Sequence, residues 1–147
     1  MRNLYDASAL LNVIRMHKQE AYRTLKDNLT LSLAKYEIGN ALWKEALLQK
    51  RISVEEAIEI MILIEKVFKI MRIIEPSNNS MVLRLACELQ ITFYDASYVV
   101  ASVESKARLV TDDVGLIRKI RGNASTVVKI LGGKPEMLSS NKTPYSS

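Results

Sequence analysis

Four acidic residues, Asp6, Glu37, Asp95 and Asp113, stand on separate segments of the chain, each where an apolar run gives way to a helical pattern. The tetrapeptide Tyr-Asp-Ala-Ser occurs twice, at Tyr5–Ser8 and Tyr94–Ser97. Its flanks differ: the first copy follows the opening strand, the second a helix and a short turn. The two copies therefore read as independent placements of an acid at one site and not as a duplicated unit, with chance recurrence of a common tetrapeptide as the alternative. Taken singly, each acid is an ordinary residue for a helix start, because a carboxylate accepts the unpaired N–H groups there and is favoured by the helix dipole. Taken together at one sheet edge, they repel unless a cation lies between them. Hard dications such as Mg²⁺ take oxygen ligands. One His and one Cys in the whole chain leave no cluster for zinc.

The elements that must position these acids follow from periodicity. Residues 1–5 read as a strand ending at Asp6, and 8–16 and 20–25 as helical pieces. Leu29–Leu33 alternates as a strand does, and 34–50 continues as a helix whose first turn holds Glu37. Ser53 and Glu56 form a capping-box pattern opening a helix to about Met71. Ile70–Glu75 is a strand stopped by Pro76, and 81–89 a helix. Asp95 opens a helix to Lys106, Arg108–Thr111 is a short strand before Asp112 and Asp113, 114–120 is a short helix, and Thr126–Leu131 is a last strand. Alternating strands and helices predict an α/β fold with a mainly parallel central sheet and helices on both faces. Ligands of such sheets bind beyond the carboxyl ends of the strands, where the acids fall.

The length of 147 residues suits one domain, here residues 1–131, with a tail over 132–147 whose Gly, Ser, Lys and Pro predict fraying. A composition 48% hydrophobic and 25% charged supports a sizeable core. The net charge of +5 and pI near 9.4 suit a polyanionic partner, and equally an ordinary basic surface. Cys87 lies in an apolar helical pattern and reads as a buried thiol, which fits a reducing, cytoplasmic setting. No signal-peptide pattern opens the chain, and the most apolar stretch, 58–64, is too short for a membrane span. The helix from Ser53 carries two apolar stripes: Val54, Ala57, Ile58, Met61, Ile64, Phe68 and Met71, and Ile60, Leu63, Val67 and Ile70. Such a helix is either deeply buried or packed on a partner, most simply a second copy of the chain.

The stretches LYDASALLN (4–12), LAKYEIGNAL (33–42), ITFYDASYVVAS (91–102) and RLVTDD (108–113) resemble, in order and spacing, the four acidic motifs of PIN-domain nucleases, in particular the VapC-type toxins of prokaryotic toxin–antitoxin pairs. The likeness runs from Asn3 to about Leu131. It implies a PIN-like three-layer α/β/α sandwich. It also implies endonucleolytic hydrolysis of RNA phosphodiester bonds with one or two Mg²⁺ or Mn²⁺ ions, leaving 5′-phosphate and 3′-hydroxyl ends. The metal-binding acids map to Asp6, Glu37, Asp95 and Asp113, with Asp112 as the alternative to the last. Ser8 matches the family's small hydroxyl after the first acid. Asn40, one helical turn beyond Glu37, is placed to orient it or a water. The family's habits further imply a homodimer and a cognate antitoxin seated in a groove.

Lys44, Arg118, Lys119 and Arg121 are candidates for holding substrate phosphates, each also readable as a solvated charge. Tyr5, Tyr94 and Tyr98 beside the acids read as core residues first and base-stacking surfaces second. His17 is read as a surface residue outside the site. The alternatives to an RNA-cutting toxin are a housekeeping RNA-processing nuclease of the same fold and an inactive RNA- or protein-binding module. No phosphate-cradling Gly loop and no nucleophile elbow occurs.

Overall fold

A computed structural model describes residues 1–143. The strands β1 (Asn3–Tyr5), β2 (Leu29–Leu31), β3 (Arg72–Ile74), β4 (Arg108–Val110) and β5 (Met137–Leu138) form one sheet in the order β3-β2-β1-β4-β5, with every pair parallel. The helices are α1 (Ala7–His17), α2 (Ala21–Leu25), α3 (Leu33–Trp43), α4 (Val54–Ile70), α5 (Asn79–Leu89), α6 (Phe93–Glu104), α7 (Val114–Gly122) and α8 (Ala124–Leu131). One group gathers α1 with α2, α3 and α4; another gathers α5 with α6 and α8. The result is the three-layer α/β/α sandwich that the alternation predicts.

Strands covered on both faces are largely apolar. Accordingly Asn3–Tyr5 and Leu29–Leu31 are buried at every position, and Leu109 and Val110 are buried too. The register pairs Leu4 with both Leu29 and Leu109, and Tyr5 with Val110, so the carboxyl ends of β1 and β4 lie level. Asp6 N–H closes that end on Val110 O at 3.0 Å. From β1 the chain builds outward through β2 to β3, then crosses to β4 on the other side of β1. That reversal opens a crevice beyond the ends of β1 and β4.

Several expectations are corrected. Thr126–Leu131 is not a strand but the body of α8, which ends at Gly132 in the left-handed region with φ 71. The β-branched run at Thr126–Val128 favours a strand locally, yet Val127, Ile130 and Leu131 recur at helical spacing and turn toward the core. The fifth strand is instead Met137–Leu138, inside the segment expected to fray, and Ser140–Lys142 forms a short 3₁₀ turn after it. The same expectation for 144–147 falls outside the described residues. The helix predicted over 34–50 stops at Trp43 and continues as a π-helical turn, Lys44–Leu48. Cys87 is exposed, because the buried stripe of α5 is Val82, Leu85, Ala86 and Leu89 and residue 87 points off it. On α4, Ile64 and Val67 are buried while Val54, Ile58 and Ile62 are exposed, so the helix sinks one side of its C-terminal half into the core and is bare along its outer side. No helix among the described residues is long and apolar enough to cross a membrane.

Candidate active site

Asp6, Glu37, Asp95 and Asp113 line a single cavity of about 240 Å³, together with Ala7, Ser8, Leu11, Ile38, Ala41 and Tyr98. Four separate segments supply the acids. Asp6 follows β1 and is the N-cap of α1, its Oδ1 accepting the Ala9 N–H at 2.9 Å. Asp113 follows β4 and is the N-cap of α7, its Oδ1 accepting the Leu116 N–H at 3.0 Å. Asp95 is not the first residue of its helix: Thr92 is the N-cap of α6, its Oγ1 accepting the Asp95 N–H at 3.0 Å. Glu37 stands one turn deeper in α3 than its neighbours stand in theirs, because that helix starts at Leu33. The capping role and the site role thus coexist. A cap uses one carboxylate oxygen and leaves the other for the cavity, and three helix N-termini aimed at the cluster offset part of its negative charge.

The acids act on one another through their charges. Burial pushes the Asp6 carboxyl up from 3.8 to about 6, and nearby Asp95 adds to this, against the opposing pull of Thr111, the Ala9 N–H and Ser8. Burial also raises Glu37, with Asp95 and Asp6 adding to it and the Tyr98 hydrogen bond opposing it. Asp95 is raised by burial and then by Asp113, against Thr92. Tyr98 is held firmly protonated by burial and by Glu37, and donates its hydroxyl to Glu37 Oε1 at 2.8 Å.

A set of oxygen donors with no His or Cys among them suits a hard dication in kind. Among the described residues, no three acidic, His or Cys side chains stand close enough to share an ion in their present rotamers. Carboxylates brought to one cavity repel one another unless a cation lies between them.

Over 119 residues, 81% of this chain and 86% of the relative, the sequence is 39% identical to Exonuclease VapC9 of Pyrobaculum aerophilum. The chain belongs to the VapC family of nucleases. A crystal structure of PAE2754 from Pyrobaculum aerophilum superposes with a TM-score of 0.67 at 33% identity, covering 90% of this chain and 98% of that one. No family model matches the chain.

Measured against this cavity of the VapC-family chain, the remaining expectations divide. Ser8 lines the cavity and donates to Asp6 Oδ1 at 2.7 Å. Asp112 does not line it: its Oδ2 accepts from Asn12 Nδ2 at 2.7 Å and its Oδ1 from the Ser140 N–H at 2.8 Å. Burial alone would raise Asp112, but the Ser140 and Asn12 hydrogen bonds outweigh it and hold the carboxyl below its usual range. Asn40 is exposed and stands outside the lining, because the Glu37 side of α3 is continued by Ile38 and Ala41. Lys44 is exposed where α3 passes into the π-helical turn and does not line the cavity. Lys119 is committed elsewhere, its Nζ donating to Gln90 O at 2.6 Å. Arg121 lines a different hollow with Lys134 and Glu136, and Arg118 is exposed on α7. His17 ends α1, three turns from Asp6 at the helix's other end. Tyr5 is core, and Tyr94 is exposed beside Asp95. Sequence reasoning missed the part played by Tyr98. Its place three residues after Asp95, on the same helix face, was the available signal.

Proposed function

We propose that the chain is a metal-dependent ribonuclease of the PIN-domain type and the toxin of a toxin–antitoxin pair. The observation that carries this reading is the convergence of four carboxylates from four segments on one cavity, each of Asp6, Glu37 and Asp95 titrating higher for the presence of another.

Asp6, Glu37, Asp95 and Asp113 would hold Mg²⁺ or Mn²⁺. When bound, the ion supplies Lewis-acid activation of water and neutralises charge on the scissile phosphate. The chain's own residues do the positioning. Tyr98 directs Glu37, Ser8 directs Asp6, and the caps at Ala9 and Leu116 fix which oxygen of Asp6 and Asp113 is turned from the cavity. Exposed Arg118 and Lys44 remain the candidates for the RNA backbone.

The test compares RNA cleavage by wild type and Asp95→Asn with Mg²⁺, Mn²⁺ or excess chelator. Cutting by wild type with metal, none by the variant, and 5′-phosphate ends are expected. Cleavage that persists in chelator sinks the metal role, and a wild type inert toward RNA transfers weight to a binding module. Because the relative is named an exonuclease, a circular RNA decides the mode of attack: internal cleavage, the expectation from sequence, opens the circle.

The toxin reading predicts that induced expression arrests growth in the cytoplasm and that a co-expressed small partner relieves it; a housekeeping enzyme does neither. The bare row of Val54, Ile58 and Ile62, with Trp43, Leu47 and Leu48 also exposed nearby in the chain, supports a homodimer. Analytical ultracentrifugation tests it, a monomer at micromolar concentration counting against it.

A further inference from the structure

A chain of hydrogen bonds links the C-terminal segment to the first acid of the site. Ser140 N–H and Asn12 Nδ2 each hold one oxygen of Asp112, at 2.8 and 2.7 Å. Asp112 N–H donates to Ser8 Oγ at 3.2 Å, and Ser8 Oγ donates to Asp6 Oδ1 at 2.7 Å. Residues 140, 112, 12, 8 and 6 thus form one clasp across β5, β4 and α1. We propose that Asp112 is a positioning residue, clamped by Asn12 and by the backbone of Ser140, which sets the Ser8 hydroxyl on Asp6.

The geometry carries this in three steps. A hydroxyl that already accepts an N–H has its own hydrogen free to point elsewhere, and in Ser8 it points at Asp6 Oδ1. The oxygen of Asp6 so engaged also takes the Ala9 N–H, so two donors fix Oδ1 and with it the plane of the carboxylate. The connection between β4 and α7 is only three residues long, Thr111–Asp113, so clamping Asp112 at both oxygens also fixes the backbone that presents Asp113. Two acids of the site are therefore placed by a residue that does not touch the cavity, and the C-terminal turn is part of the site's support. Hydrogen-bond partners standing behind metal-binding residues commonly change metal affinity by 10–100-fold when removed.

The decisive variant is Ser140→Pro. Proline has no N–H, and residue 140 opens the 3₁₀ turn, where a proline is well placed. Ser139, at φ −85 and ψ 158, already has the extended backbone required before proline. Asn12→Ala removes the other clamp and serves if the proline variant does not fold, as judged by thermal unfolding.

The proposal rests on the metal-site reading above. Two readouts are needed: Mn²⁺ binding by calorimetry, and the Mg²⁺ dependence of RNA cleavage. Ser140→Pro, Asn12→Ala and Asp112→Ala should each weaken Mn²⁺ binding and raise half-saturating Mg²⁺ by about tenfold. Ser140→Ala, which keeps the N–H, should shift both by less than Ser140→Pro. Asp112→Asn, which can still accept from Ser140, should recover part of the loss seen in Asp112→Ala. Wild-type affinity in Asp112→Ala, Asn12→Ala and Ser140→Pro alike overturns the proposal. So does complete loss of Mn²⁺ binding in Asp112→Ala with no change in the other two, since Asp112 is then itself a ligand. If wild type binds Mn²⁺ but cuts no RNA, the nuclease reading fails while the order of Mn²⁺ affinities still tests the clasp.

Discussion

The Tyr98 hydroxyl donates to Glu37 Oε1 across 2.8 Å, joining α6 to α3 over 61 positions of sequence. The tyrosine ring is buried in the core while its oxygen reaches the cavity wall. One side chain therefore ties the packing of two helices to the aim of one carboxylate. Buried hydroxyls need a partner, and here the partner is a residue of the candidate site.

Tyr98→Phe keeps the ring and removes the donor. The cost in stability should be about 1 kcal/mol, and cleavage at limiting metal should fall about tenfold as Glu37 loses its aim. Burial raises Glu37 and Tyr98 opposes that rise, so the variant should shift the acidic limb of the pH–rate profile to higher pH. An unmoved limb with wild-type rates counts against Tyr98 as a director of Glu37.

Asp6 makes the metal-free protein less stable as pH rises. Its folded-state carboxyl titrates at about 6 against an ordinary 3.8. The stability tied to its protonated form is thus fully present below 3.8 and lost as pH rises through about 6. Asp6→Asn should therefore abolish cleavage yet stabilise the chelator-treated protein at pH 7–8, by at most roughly 3 kcal/mol, with the gain vanishing near pH 4. Asn remains a good N-cap. Urea unfolding of both proteins at several pH values measures this, and a variant less stable than wild type at pH 8 contradicts it.

Asp113 can be separated into its two roles. Both Asp113→Asn and Asp113→Ala should stop cutting, whereas only the alanine should lose the cap of α7, at about 1 kcal/mol. Equal melting temperatures for the two variants would show that the cap contributes nothing. Retained cleavage in either would remove Asp113 from the catalytic set.

The cations of α7 should behave differently from one another. Arg118→Ala should weaken RNA binding and reduce its salt dependence, as the loss of a phosphate contact does. Lys119→Ala should leave the salt slope alone and cost less than about 1 kcal/mol of stability, because its Nζ satisfies the carbonyl at the end of α5. Filter binding across a salt series distinguishes them, and identical slopes for the two variants argue against the assignment.

Much of the frame is legible in local sequence because its causes are local. Short apolar-rich runs mark the buried strands, and Ser53, Asp6 and Asp113 mark helix starts through the hydrogen bonds their side chains accept from residues three positions on. The failures have local causes too. The β-branched run at Thr126–Val128 imitates a strand, and the polar tail gives no sign that Met137 and Leu138 will pair with β4. A two-residue strand has no period to detect, and it forms because an open sheet edge offers it hydrogen bonds.

The four acids, their segments and their oxygen-only chemistry are properties of the sequence by itself. So is the α/β alternation that sends the ends of β1 and β4 to one crevice. Which acid beside Val114 faces the cavity, that Tyr98 rather than Asn40 attends Glu37, and that the tail reaches back to Asp112 were decided only by the tertiary structure. The reason is physical: each depends on hydrogen bonds or burial between residues far apart along the chain, and no local propensity records a partner that only the packed sheet brings within 3 Å.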